Sequence, residues 1–162
     1  MMGPELLGRL MDEHAAALVL YARQWCSAPE DVVQEALLKL VVQKPPPAEP
    51  VPWLYKVVRN AASSAARSAR RRQRHEAEAA ARVRTWFVPT EGAGLDAAAA
   101  TAALQRLPEE QREIIVAHLW GGLTFEQIGE LTGTSSSTAH RGYLAGLSTL
   151  RERLGVPCPK TK

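Results

Sequence analysis

The stretch Pro52–His75, PWLYKVVRNAASSAARSARRRQRH, decides how this chain folds. It is alanine-rich, and at about 100° per residue its side chains sort onto two helical faces. Trp53, Leu54, Val57, Val58, Ala61 and Ala65 form the side expected to pack. Lys56, Asn60, Ser63, Arg67, Arg70 and Arg74 fall within about 40° of a common line, with Arg59 and Arg71 beside it. A solvated helix face usually interleaves both signs of charge. This one carries five arginines from Arg67 to Arg74 and no acid until Glu76. Such a stripe repels itself, and a phosphate backbone is the commonest partner that relieves the repulsion.

The rest of the chain makes that basicity a local device. With 162 residues and 46% hydrophobic side chains, it can hold one domain or two small ones. The net charge of +3 is uneven: residues 1–55 carry −3, residues 56–84 carry +7 and residues 85–162 carry −1. Cys26 and Cys158 give neither a disulfide framework nor metal-ligand spacing. No apolar run approaches the roughly 18 residues a membrane span needs. The opening MMGPELLGRLMDEH has acids where a secretory signal is apolar, so a cytoplasmic location is expected. His14, His75, His118 and His140 have no partners at ligand spacing, and no phosphate loop or nucleophile motif is present. The expectation is a binding protein, not an enzyme, with no metal and no cofactor. His118, on an apolar helix, reads as a core or boundary residue.

Strand patterns are missing, and the expected fold is all-α: two small helical domains joined by a flexible linker, the C-terminal one a helix-turn-helix. A first helix is expected from Pro4 to Trp25. A second is expected from Ser27, with Ser27 and Glu30 as a capping box, to Val42. KPPPAEPVP then enforces an extended connection before Pro52 opens the basic helix. The domain boundaries expected are 1–76, a linker at 77–98 that holds Trp86, Phe87, Glu91 and Asp96, and 99–162. The second domain reads as helices near Asp96–Gln105, Pro108–Trp120, Phe125–Thr132 and Ser136–Leu154. Ile114, Ile115, Leu119, Trp120 and a stripe of Leu144, Leu147, Leu150 and Leu154 are its expected core.

GGLTFEQIGELTGTSSSTAHRGYLAGL, from Gly121, carries the clearest local motif. Thr124 and Gln127 make a capping box, Gly129 allows a close helix crossing, and Gly133 supplies a left-handed turn. Ser135 is the expected N-cap of the next helix. Ser136, Ser137, Thr138, His140 and Arg141 follow near its start, the part of a recognition helix that meets base edges. Small hydroxyl residues permit close approach, and Arg141 can pair with guanine or phosphate.

The order of these segments resembles bacterial RNA polymerase sigma factors of the sigma-70 family, in the extracytoplasmic-function (ECF) class. The resemblance rests on EDVVQEALLKL at Glu30–Leu40, WLYKVVRNAA at Trp53–Ala62, LPEEQREIIVAHLWGGLTFEQIGELTG at Leu107–Gly133 and LRERL at Leu150–Leu154. It implies a transcription initiation factor whose partners are core RNA polymerase, through its clamp and flap regions, promoter DNA and an anti-sigma factor, the free protein being a monomer without membrane insertion. Under it, Asp31, Gln34, Glu35 and Leu38 form the surface that docks on the polymerase clamp. The basic helix (Lys56, Arg59, Asn60, Ser63, Arg67, Arg70, Arg71, Arg74) recognises and opens the minus-10 element. The loop Lys44–Pro52 holds an extruded base, with Trp53 divided between core and stacking roles. Ser135, Ser136, Ser137, Thr138, His140 and Arg141 meet the minus-35 duplex. The chain departs from the family pattern in an abbreviated N-terminal segment, and in Gly142 and Ala145, where many members carry basic residues. The competing reading is a stand-alone helix-turn-helix regulator that binds duplex DNA as a dimer, and no segment remains to form its dimerisation helix.

Overall fold

The computed structural model describes residues 3–75 and 95–156, with His75 and residues 95–98 described by backbone alone. It contains seven helices among those residues and no strand. The chain divides into two compact units, Met1–Thr85 and Trp86–Lys162.

Three mutually packed helices form the first unit: α1 (Pro4–Ala22), α2 (Pro29–Val42) and α3 (Pro50–His75). Leu18 and Tyr21 of α1, Leu40 of α2, and Leu54, Tyr55 and Val58 of α3 are fully buried where they meet. Tyr21 anchors this core, with its ring 4.8 Å edge-on from Tyr55 and 5.0 Å from Trp25, the tilted geometry aromatic pairs prefer. The expected capping box at Ser27 does not form: Pro29 takes the first helical position, which makes Ala28 the N-cap and leaves Ser27 one residue too early. Glu30 meets Arg23 instead, at 3.2 Å, which ties the end of α1 to the start of α2.

α3 begins two residues before Pro52. Trp53 N–H donates the first helical bond to Glu49 O at 3.3 Å, so Pro50 and Pro52 both lie in the opening turn, where a missing N–H leaves nothing unpaired. The packing side is rotated from the expected one. Leu54, Tyr55, Val58 and Ala62 are buried, Trp53, Val57 and Ala61 are half-buried, and Ala65 is exposed. Beyond Ala62 no described α3 side chain is fully buried, and Ala66, Ser68 and Ala69 are half-buried.

Burial leaves the Tyr55 hydroxyl without a hydrogen-bond partner and pushes its pKa well above the ordinary phenol value. Removing a desolvated, unpaired hydroxyl relieves its penalty while the ring contacts remain. Tyr55→Phe is therefore expected to leave stability unchanged or raise it by up to about 1 kcal/mol. A loss above that in urea unfolding would mean the hydroxyl is paired.

The second unit is organised on its last helix. α4 (Leu95–Gln105), α5 (Glu109–Leu119) and α6 (Phe125–Thr132) each pack on α7 (Ser136–Leu154). α4 starts four residues before the expected boundary at 99, so the end of the expected linker is helical; the remainder, with Trp86, Phe87 and Glu91, lies outside the described residues. The last carbonyls of α4 are held by arginines from elsewhere: Arg112 Nη1 donates to Gln105 O at 3.2 Å and Arg153 Nη1 to Ala103 O at 3.3 Å. Cations at a helix C-terminus are favourable. Burial lowers the Arg112 pKa, and the nearby Glu109 carboxylate works against that shift.

The expected leucine stripe is not the inner face of α7. Leu144 and Leu154 are exposed, Leu147 and Leu150 half-buried, and Leu119 at the end of α5 and its C-cap Trp120 are exposed too. The fully buried positions of α7 are small, Ala139 and Gly146. A Cβ on Gly142 would stand 2.8 Å from Ile114 Cδ1, and one on Gly146 2.7 Å from Ile115 Cδ1. Ile114 and Ile115 thus fill the space a larger α7 residue would need, and with Val116, Leu123, Ile128 and Ala139 they form the core.

Candidate nucleic-acid interfaces

On α3 the stripe faces away from the bundle. Relative to the buried Leu54, Tyr55, Val58 and Ala62, the line through Lys56, Asn60, Arg67 and Arg74 lies about 180° round the helix. Lys56, Asn60, Arg67, Arg70, Arg71 and Arg74 are exposed, while Arg59 and Ser63 are half-buried at the boundary. Arg67, Arg70, Arg71 and Arg74 together line an open groove of about 380 Å³, their spacing of three, four and seven residues placing them on adjoining turns. Four guanidiniums on one exposed surface favour a polyanion. In the preceding loop Lys44, Pro45, Pro46, Ala48 and Glu49 are exposed, and Trp53 is half-buried, between the two roles expected of it.

The second unit presents the helix-turn-helix. The capping box is present in full: Gln127 N–H donates to Thr124 Oγ1 at 3.2 Å, and Thr124 N–H to Gln127 Oε1 at 3.0 Å. Gly133 closes α6 at φ 73°, the left-handed region glycine enters without strain. His118 supports the entry to the motif. It is half-buried, its Nδ1 lies 2.8 Å from Leu123 O, and its ring stacks on Phe125 at 4.4 Å. A carbonyl only accepts, so Nδ1 carries the proton.

The two hydroxyls at the start of α7 differ in use. Ser135 Oγ accepts from Thr138 N–H at 3.1 Å and is the N-cap, a position where a hydroxyl satisfies an otherwise unpaired amide. Arg141 Nη2 donates to Thr138 Oγ1 at 3.3 Å, which steadies the guanidinium along the helix. Ser136, Ser137, Thr138, His140 and Arg141 are all exposed, and His140 rests edge-on against Phe125 at 4.9 Å. Gly142 is half-buried, and a Cβ there would meet the Ile114 side chain.

A third surface lies on α2. Asp31, Gln34, Glu35 and Leu38 are all exposed on the side opposite the buried Val33, Ala36, Leu37 and Leu40. Glu35 pairs with Lys39 at 2.8 Å. The structure adds Val42, 72% exposed and one turn beyond Leu38, which is 62% exposed. Helical spacing alone accounts for the exposure of Val42, since nine residues beyond the buried Val33 is about 180° from the core line. Two neighbouring aliphatic side chains in water make this face more than a solvated surface with one stray leucine.

An all-helical chain with a helix-turn-helix in one unit and an arginine face in the other is, as a class, a two-part DNA-binding protein. Comparison with known proteins makes the class specific. Residues 10–72 match the family Sigma-70 region 2, and residues 97–149 match Sigma-70, region 4. The chain is 35% identical over 138 residues to RNA polymerase sigma factor CarQ of Myxococcus xanthus, covering 78% of this chain and 74% of that one. Its fold is similar to the sigma factor RpoE solved with the anti-sigma factor NepR from Bartonella quintana, with a TM-score of 0.69 at 22% identity, over 96% of this chain and 100% of that one. It is also similar to CnrH solved with the cytosolic domain of CnrY, with a TM-score of 0.59 at 17% identity, over 96% and 92% of the two chains.

The chain belongs to the sigma-70 family of RNA polymerase sigma factors, and its pairing of region 2 with region 4 is that of the ECF class. It is a transcription initiation factor that directs polymerase to promoters. The stand-alone regulator reading leaves the region 2 match without a role. No described helix is long and apolar enough to cross a membrane.

Proposed function

We propose that the chain divides promoter initiation among three surfaces, within domains at 1–76 and 99–162 joined by 77–98. The α2 face (Asp31, Gln34, Glu35, Leu38, extended by Val42) docks on the clamp of core RNA polymerase, and the second unit meets the flap. The α3 stripe engages the minus-10 element and holds the strands apart. Lys56 and Asn60 approach the unpaired strand, and Arg59, Ser63, Arg67, Arg70, Arg71 and Arg74 approach its phosphates. The connection Lys44–Pro52, whose last three residues are the first turn of α3, takes an extruded base, whose unstacking costs a few kcal/mol that polar and stacking contacts must offset. Ser135, Ser136, Ser137, Thr138, His140 and Arg141 address the minus-35 duplex in the major groove. The protein makes and breaks no bonds, uses no cofactor, is a monomer in the cytoplasm when free, and is restrained by an anti-sigma factor. In support of that last partner, one structurally similar sigma factor was solved with an anti-sigma factor.

The observation that carries this reading is the exposed α3 stripe, aligned opposite the core and free of acids from Lys56 to Arg74. Run-off transcription with core polymerase and a promoter library tests it, with core alone as control. The chain is expected to confer promoter-specific transcripts. Gln34→Ala with Leu38→Ala is expected to weaken core capture at least tenfold and lower those transcripts, with helical content unchanged because both side chains are exposed. Undiminished core capture by the folded double variant would remove α2 as the docking surface.

A further inference from the structure

The outward face of α7 carries one large apolar side chain that neither the core nor the hydrogen-bonding residues account for. Leu144 is 50% exposed. Around the helix it lies about 20° from Ser137 and about 40° from Ser148, opposite the small inner residues Gly142, Gly146 and Ala139 taken together. Arg141 stands one turn before it on the same face. Ser137, Arg141 and Leu144 therefore form one line about 10 Å long, at a 1.5 Å rise per residue. That is roughly three base steps of duplex.

We infer that Leu144 is a specificity-determining residue that reads the C5-methyl of a thymine in the minus-35 duplex. This rests on the proposal that α7 lies in the major groove. Three observations favour a base edge as what covers this leucine. First, Leu144 is flanked by the residues suited to a groove, Ser137 and Arg141, and not by other exposed aliphatic side chains of α7. Second, its lateral neighbour Ala145 is exposed and small, and Gly142 and Gly146 turn inward against Ile114 and Ile115, so the leucine stands clear of its surroundings on that side. Third, between Ser136 and Ser148 the only side chains able to carry charge are His140 and Arg141. The hydroxyls in the line pair with any base, so they leave discrimination to Arg141 and to apolar contact. In the major groove the thymine methyl is the apolar group a base pair presents, and an aliphatic side chain is complementary to it.

The test uses the full chain bound to core polymerase and a promoter selected by run-off from the library. Each thymine of its minus-35 element is replaced in turn by deoxyuridine, which removes the methyl and leaves every hydrogen-bonding group in place. One replacement is expected to lower binding about threefold to fourfold, the effect of exposing one methyl. In Leu144→Ala the same replacement is expected to have no effect, while Leu144→Met retains it. All three proteins are expected to fold alike because the side chain is exposed. A methyl effect that persists undiminished in Leu144→Ala overturns the inference. So does the lack of any methyl effect in the unaltered protein, or the lack of thymine in the minus-35 element of every selected promoter. Arg141→Ala separates this inference from the docking on which it rests. If it weakens binding while the methyls prove silent, α7 is in the groove and only the role of Leu144 fails. If Arg141→Ala is also silent, the placement of α7 fails with it.

Discussion

Replacing Arg67, Arg70, Arg71 and Arg74 together by alanine is expected to lower binding of the polymerase-bound protein to forked promoter DNA roughly a hundredfold, across all sequences alike. The side chains are exposed and lie beyond the last buried residue of α3, so nothing in the core depends on them. Alanine is also the best helix former, and the helix is expected to persist. The loss comes from counterion release. Each phosphate contact contributes about 0.7–0.9 to the slope of log K against log salt, so four contacts removed lower that slope by about 3. Phosphate contacts carry no base information, which is why the effect is uniform. A loss confined to one sequence would assign these arginines to base edges, and an unchanged slope would mean they touch no phosphate.

The second large effect is on stability. Gly129→Ala is expected to destabilise the second unit by about 2–3 kcal/mol. A Cβ at Gly129 would lie 2.8 Å from Thr134 O, 3.1 Å from Ser135 C and 3.1 Å from Ser136 N. All three are backbone atoms of the turn and of the start of α7, and they cannot swing aside as a side-chain tip can. Relief requires α7 to shift, which disturbs the Ser135–Thr138 cap. Helix propensity recovers at most about 1 kcal/mol of the loss. A unit of this size has a thin margin, so melting is expected to fall by about 10–20 °C. Thermal unfolding of the full chain followed by circular dichroism measures this, and an unshifted transition would place Gly129 away from the turn.

These two sites differ in how far the sequence alone revealed them. The turn was legible in detail: Thr124, Gln127, Gly133 and Ser135 each have a local signature, and all four take the expected positions. α6 and α7 have the expected bounds for the same reason. The stripe on α3 was legible because charge marks a face without reference to anything outside the helix. The packing side of α3 was not. Tyr55 and Ala62 are buried while Ala65 is exposed, since alanine fits either environment and contacts with α1 and α2 choose between them. α7 misled more strongly. Four leucines at helical spacing suggested the core, yet Leu144 and Leu154 are exposed, Leu147 and Leu150 only half-buried, and the fully buried positions are Ala139 and Gly146, because Ile114 and Ile115 bring the bulk from α5. Complementary size across an interface is not written in either helix by itself. The early start of α3 was missed for a related reason: Pro50 reads as part of an extended connection, although a first turn accepts it as well as Pro52.

Strand opening by α3 is the central claim, and Asn60 separates it from simple attraction to DNA. Asn60 is exposed in the middle of the stripe, carries no charge, and is flanked one turn away by Lys56 and Ser63. The direct measurement is transcription by the Asn60→Ala protein with core polymerase on two templates, one fully duplex and one pre-melted across the minus-10 element. On the duplex, closed complexes are expected to form normally, while permanganate-reactive thymines and transcripts fall. On the pre-melted template the unstacking penalty is already met, and transcription is expected to return to the level of the unaltered protein. If pre-melting rescues nothing, Asn60 does not act in opening, and the α3 stripe is a duplex-binding surface instead.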